Sequence, residues 1–149
     1  MTTGTATRTA KPAAPKRPMK LAAAHLATPK FLKGRRSFFK YRDLNVTEAS
    51  DGVMRAQVMS AVTGMTEPTG WHYHTCDGQF VYVLKGWVTL EFEGAETLKL
   101  VAGDSLFIPG GLRHNELATS GDVEILEVSS PAEMGTVPCE PPKGHGAQA

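Results

Sequence analysis

From Ser37 onward the chain alternates apolar and polar residues with a period of two, the pattern of a strand that buries one face. Trp87–Glu93 is the clearest stretch. Val88, Leu90 and Phe92 share a face there, with Thr89, Glu91 and Glu93 set apart from them. Nine strands are predicted: Ser37–Tyr41, Val53–Val62, Gly70–His74, Gln79–Leu84, Trp87–Glu93, Thr97–Val101, Ser105–Ile108, Arg113–Leu117 and Val123–Ser129. Gly, Pro, Asp or Asn marks most breaks, as at Asp77-Gly78, Gly103-Asp104 and Pro109-Gly110-Gly111, where turn geometry comes at low steric cost. No segment of this region carries a helical stripe. Short strands at this spacing predict an all-β antiparallel fold, closed or sandwiched.

The pattern divides the chain into three: an arm over residues 1–36, a β domain over 37–131 and a tail over 132–149. Met1 to about Pro18 is Thr, Ala, Pro and Lys without a hydrophobic pattern, and is expected to be disordered. Met19–Phe31 has helix-compatible residues interrupted at Pro29, and is expected either to lie on the barrel or to move freely. The Pro- and Gly-containing tail is expected to be mobile, with His145 unrelated to any site.

Composition narrows the class. The 149 residues make room for one domain with a self-sufficient core. No run approaches the ~20 apolar residues of a membrane span, so no membrane partner is expected. The N-terminus has basic residues but no apolar run behind them, so export is not expected. Two cysteines, Cys76 and Cys139, do not make a disulfide framework, and a cytoplasmic location follows as the expectation.

The net charge of +1 conceals an asymmetry. Residues 1–42 hold 11 of the 16 basic residues and no acid; the remainder keeps five basic residues against all 15 acids. Basic arms can bind nucleic acid, but this one lacks interleaved aromatics and any nucleic-acid motif. A solvated tail is the expectation, with docking on an acidic partner next.

Three histidines of the β domain carry the candidate chemistry. His72 and His74 are two apart, which puts both rings on one face of a strand, and His114 lies on a later strand. Three imidazoles converging in a barrel would form a site for a divalent transition metal. Scattered histidines in ordinary positions are the alternative.

The residues around them resemble the motifs of the cupin family. The first reads Gly70-Trp71-His72-Tyr73-His74, four residues to Gln79, then six more to Gly86. The second reads Gly103, five residues, Pro109-Gly110-Gly111, two residues, His114. The resemblance covers about Val53 to Ser130. It implies a jelly-roll (double-stranded β-helix) barrel, a metal on His72, His74 and His114, and a homodimer. Gln79 stands where the family carries an acid, so the fourth ligand is open between Gln79 and Glu116, which shares His114's strand face. Iron is the first expectation for the metal, with manganese, nickel or zinc as alternatives.

Three neutral imidazoles would leave a +2 charge uncompensated, which favours an anionic, chelating small-molecule substrate. The first expectation is a dioxygenase in which Gln79 or Glu116 guides protons. The second is a non-redox isomerase or lyase for a hydroxyketone or sugar-derived substrate, and the third is a ligand- or partner-binding module without catalysis. Val81, Val83, Leu90, Phe92 and Phe107 are the expected apolar pocket wall, and Arg55 the contact for a substrate carboxylate. Tyr73, Tyr82, Trp71, Trp87, Phe80 and Leu84 have outward parity, a face expected to pack on a second copy.

Overall fold

The structure, a computed structural model, describes residues 16–34 and 36–145. The disorder expected up to Pro18 falls mostly on residues 1–15, outside the described residues. Eleven strands and one short helix follow in order: β1 (Lys30–Leu32), β2 (Phe39–Asp43), α1 (Val46–Ala49), β3 (Arg55–Ala61), β4 (His72–His74), β5 (Gly78–Lys85), β6 (Trp87–Phe92), β7 (Leu98–Val101), β8 (Ser105–Pro109), β9 (His114–Thr119), β10 (Glu124–Ser130) and β11 (Thr136–Pro138). All nine predicted strands are present, with ends shifted by a few residues.

The strands form two antiparallel sheets. Sheet A has the order β1-β2-β3-β10-β5-β8 and sheet B the order β11-β4-β9-β6-β7. Alternate residues of each face inward, and Met59, Val81, Val83, Val88, Leu90, Phe92, Ile108, Val123 and Ile125 fill the space between the sheets. This is the all-β barrel that the period of two predicts.

Sheet A's inner face is graded from polar to apolar. Arg55, Ser129 and Gln79 stand side by side across β3, β10 and β5; the next inward row is Gln57, Glu127 and Val81; the next is Met59, Ile125 and Val83. Polar inward positions are therefore concentrated at one end of the barrel. The other end is packed hydrocarbon.

Two strands lie outside the boundaries predicted from the sequence. β1 belongs to the basic arm and pairs with β2 along Lys30–Leu32. Upstream, Lys20 N–H donates to Ala49 O, Asn45 Nδ2 donates to Ala23 O, and the Arg17 guanidinium pairs with Asp51. The Arg17 backbone N–H, and then its guanidinium, hold the Asp51 carboxyl below its ordinary range. β11 belongs to the tail and pairs with β4, and Cys139 N–H donates to Trp71 O. Three-residue strands of Lys-Phe-Leu and Thr-Val-Pro have no period to detect. Their pairing is supplied by the neighbouring strand.

Candidate metal centre and cavity

The His-x-His pair sits on β4, where two-residue periodicity turns both rings inward. His114 opens β9, directly opposite His72 in the β4–β9 register. The loop before it is stitched to the first motif: Gly110 N–H donates to Asp77 O at 3.0 Å and Gly111 N–H to His74 O at 2.9 Å. A Cβ on Gly110 would overlap the Cys76 carbonyl oxygen, so only glycine lets the two backbones approach this closely. The proline–glycine loop thus delivers His114 to the other two histidines.

The three rings converge. Centroids lie 5.2 Å apart for His72–His74, 4.4 Å for His72–His114 and 5.0 Å for His74–His114. One nitrogen from each lies within 4.8 Å of the others, so the set could hold a metal ion. Each Nδ1 is engaged by the protein: His72 with Gly70 O at 2.7 Å, His114 with Leu112 O at 2.9 Å, and His74 with Thr136 Oγ1 at 2.8 Å and Gly135 O at 3.3 Å. A carbonyl only accepts, so Nδ1 carries the proton in each ring and Nε2 carries the lone pair. The Phe92 ring stacks on His114 at 5.6 Å. Burial, at 1% exposure, is the main force that holds the His114 pKa down to about 4, and His72 adds to it. A neutral imidazole is the form a metal needs, so the donor set fits a first-row divalent ion.

A cavity of about 180 Å³ opens beside His72 and His74. Its other wall is the polar end of sheet A, with Arg55, Gln57, Gln79 and Glu127; Glu116 enters from β9 and Arg36 closes part of the rim. Arg36 Nη2 donates to Thr69 O at 2.6 Å, which ties the rim to the segment before β4. Gln57 Nε2 donates to Glu127 Oε2 at 2.7 Å. Burial pushes the Glu116 carboxyl up against the pull of Arg36. Burial also pushes Glu127 up to about 7, with Gln57 pulling down, Glu116 pushing further up and Arg55 pulling down.

The expected site residues separate into two groups. His72, His74, Gln79, Glu116 and Arg55 line one cavity, with His114 beside it in the metal cluster. Glu116 is not part of the close three-histidine set, so its place is the cavity wall. The expected apolar pocket wall is corrected. Val81, Val83, Leu90 and Phe92 belong to the hydrophobic core cluster and are not among the residues lining the cavity. Phe107 points outward and is 63% exposed, because its partner in the register, Phe80, belongs to β5's outer face.

Other positions also changed partners. Trp71 is 6% exposed, covered by the tail: the His145 ring meets it edge-on with centroids 4.8 Å apart and reaches Glu91 Oε2 at 3.6 Å. The His145 contact is thus with the outer side of the β4–β9 region, not with the cavity. Trp87 carries the Lys99 ammonium 4.7 Å above its ring. Cys76 is buried, and burial pushes its thiol pKa up, against a reactive role. Glu127, Gln57, Arg36 and Thr136 were not singled out from the sequence. The only available signal was a polar residue at an inward parity position, visible for Gln57 and Glu127 once the strand faces are known.

Residues 61–129 match the model of the Cupin domain family Cupin_2. The "Uncharacterized protein YdbB" of Bacillus subtilis (strain 168) is 32% identical over 75 residues, which is 50% of this chain and 61% of that protein. The match therefore spans less than two thirds of the relative. The polyketide cyclase RemF from Streptomyces resistomycificus has a TM-score of 0.66 at 20% identity, covering 83% of this chain and 88% of its own. An RmlC-like cupin from Shewanella frigidimarina NCIMB 400 has a TM-score of 0.56 at 18% identity, covering 78% and 96%. At these identities the structural likeness is one of fold. Among the described residues, no helix is long and apolar enough to cross a membrane. The matched motifs, the two-sheet barrel and the histidines converging inside it identify residues 61–129 as a cupin domain.

Proposed function

We propose that this protein is a metal-dependent enzyme for a small anionic, chelating substrate, with the metal as a Lewis acid of constant oxidation state. The observation that carries it is the facing of two walls across one cavity: His72 and His74 on one side, and Arg55, Gln57, Gln79 and Glu127 on the other. A divalent ion bound by His72, His74 and His114 would polarise a substrate oxygen and lower the cost of negative charge on it. Arg55 and Arg36 attract the anion from the wall and rim. Gln79 is 5% exposed and lines the cavity, and its carboxamide orients the substrate by hydrogen bonding. Glu127, pushed up to about 7 by burial, supplies a site that carries a proton near neutral pH, and burial raises the Glu116 carboxyl as well. A cavity of this size suits a molecule of a few carbons, such as a 2-oxo acid or hydroxyketone.

The dioxygenase reading is favoured by one feature, the absence of a carboxylate from the close histidine set. Elemental analysis of untagged protein, with oxygen consumption followed alongside product formation, separates the two. Product without oxygen uptake supports Lewis-acid chemistry; uptake stoichiometric with product assigns the dioxygenase.

The proposal includes a homodimer and a cytoplasmic location. Phe80, Tyr82 and Leu84 of β5 and Phe107 of the edge strand β8 form an exposed apolar face, which supports packing on a second copy. Cys76 and Cys139 are both free thiols, which suits a reducing compartment.

A further inference from the structure

Glu127 is unusual for its position. The inward residues of β10 are Ile125, Glu127 and Ser129, in a strand flanked on both sides inside sheet A. A carboxylate there loses hydration, and it accepts a hydrogen bond from a neutral amide, Gln57 Nε2 at 2.7 Å. Glu127 and Gln57 are direct cross-strand partners, so the contact is set by the register of β3 and β10. The described residues give Glu127 no ion pair, although Arg55 lies on the same wall. An apolar residue would serve packing better. A carboxylate held in place by an amide, facing a cavity that also holds the histidines, suits chemistry instead.

We propose that Glu127, oriented by Gln57, is the proton-transfer group of this cavity and acts on the carbon next to the carbonyl of a small 2-oxo acid. The inference rests on the metal-dependent reading above. In the forward step a Glu127 oxygen takes the proton from that carbon. The C–H electron pair becomes the carbon–carbon double bond of an enolate, and the carbonyl π pair moves onto its oxygen as negative charge. Neutral Glu127 then returns a proton to carbon and the electrons move back. The cycle is balanced and uses neither oxidant nor reductant. Arg55 holds the substrate carboxylate beside this acid, and Gln79, its neighbour across Ser129, bonds the adjacent oxygen.

The surroundings of Glu127 suit a proton carrier. Gln57 and Arg55 face the cavity from β3, Gln79 from β5, Glu116 from β9, His72 and His74 from β4, Tyr41 from β2, and Lys33 and Arg36 from the segment between β1 and β2. Burial pushes the carboxyl up to about 7, with Gln57 pulling down, Glu116 pushing up and Arg55 pulling down, so it can both take and return a proton there.

The test uses pyruvate and 2-oxobutyrate in D₂O, with loss of the C3 proton signal followed by ¹H NMR in protein loaded with Zn(II) or Mn(II). Wild type should accelerate the exchange, with an inflection near pH 7. Glu127→Gln should slow it by about a hundredfold or more at unchanged metal content, while Glu127→Asp retains part of the rate. Exchange by Glu127→Gln at the wild-type rate overturns the proposal, as does a metal-loaded wild type that exchanges neither acid. Metal-free protein provides a separate readout, ¹³C NMR of labelled glutamate carboxyls. A carboxyl titrating near 7 that disappears in Glu127→Gln supports the assignment, and its absence from wild type overturns it. A chain that takes up no metal yet shows this carboxyl removes the metal-dependent reading while leaving the proton-holding role of Glu127 standing.

Discussion

The Thr136 hydroxyl oxygen lies 2.8 Å from His74 Nδ1, so a residue of the C-terminal segment orients an imidazole of the candidate metal site. Thr136 stands opposite His74 in the β11–β4 register, and it also lines the cavity. Removing a partner that holds a ligand ring in place typically costs ~10–100-fold in metal affinity.

Thr136→Val should therefore weaken metal binding by ~10-fold or more without unfolding the barrel. Competition against a chromogenic chelator measures it. Wild-type affinity in the variant would mean that Gly135 O alone orients His74.

His74→Ala should abolish stoichiometric metal uptake and leave a folded β-barrel, since the ring sits at the polar end of the interior and not in the hydrophobic cluster. Elemental analysis with circular dichroism checks both halves. A full metal equivalent in the variant would refute the three-histidine assignment.

Gln79→Glu should tighten metal binding, because it places a charged oxygen on the wall that His72 and His74 face. Unchanged affinity would show that Gln79 addresses the substrate rather than the ion. The same titration, run on both proteins, decides it.

The metal-free protein should lose stability as pH falls. His114 is held down to about 4 in the fold against an ordinary value of 6.5. Between those values the unfolded chain binds a proton that the folded chain does not, so unfolding is favoured as pH drops through this window. The contribution approaches ~3 kcal/mol at the acid end. Glu127 acts in the opposite sense: its carboxyl is raised from 4.5 to about 7, so its cost appears as pH rises through that range. Urea midpoints of apo wild type, His114→Phe and Glu127→Gln from pH 4 to 8 separate the two. His114→Phe should flatten the acid limb and Glu127→Gln the rise in cost toward neutrality.

Phe107→Asp combined with Phe80→Asp should convert the proposed homodimer to a monomer, because the two rings are register partners on the outer face of β5 and β8. Analytical ultracentrifugation reads the change. A variant that sediments as wild type would place any self-association on another face.

The order of strands along the β domain and the meeting of His72, His74 and His114 were legible from the chain alone. Alternation with period two reports which side chains share a face, and the spacing of glycine, proline and histidine in two motifs is local information. The polar wall was not legible in the same way. Gln57, Gln79 and Glu127 come from β3, β5 and β10, and whether they meet depends on register and sheet order, which a one-residue slip would undo. Arg36 and Thr136 were hidden for a different reason: they lie in segments whose composition shows no pattern and whose position is set by pairing with the barrel. Phe107 and Val83 show the same limit from the apolar side. Both are hydrophobic strand residues in sequence, yet one is exposed on an edge strand and the other is buried in the core. Period and motif determined the fold and the three histidines. Only the closing of two sheets on each other decided which residues face them across the cavity, because that contact joins strands distant in sequence.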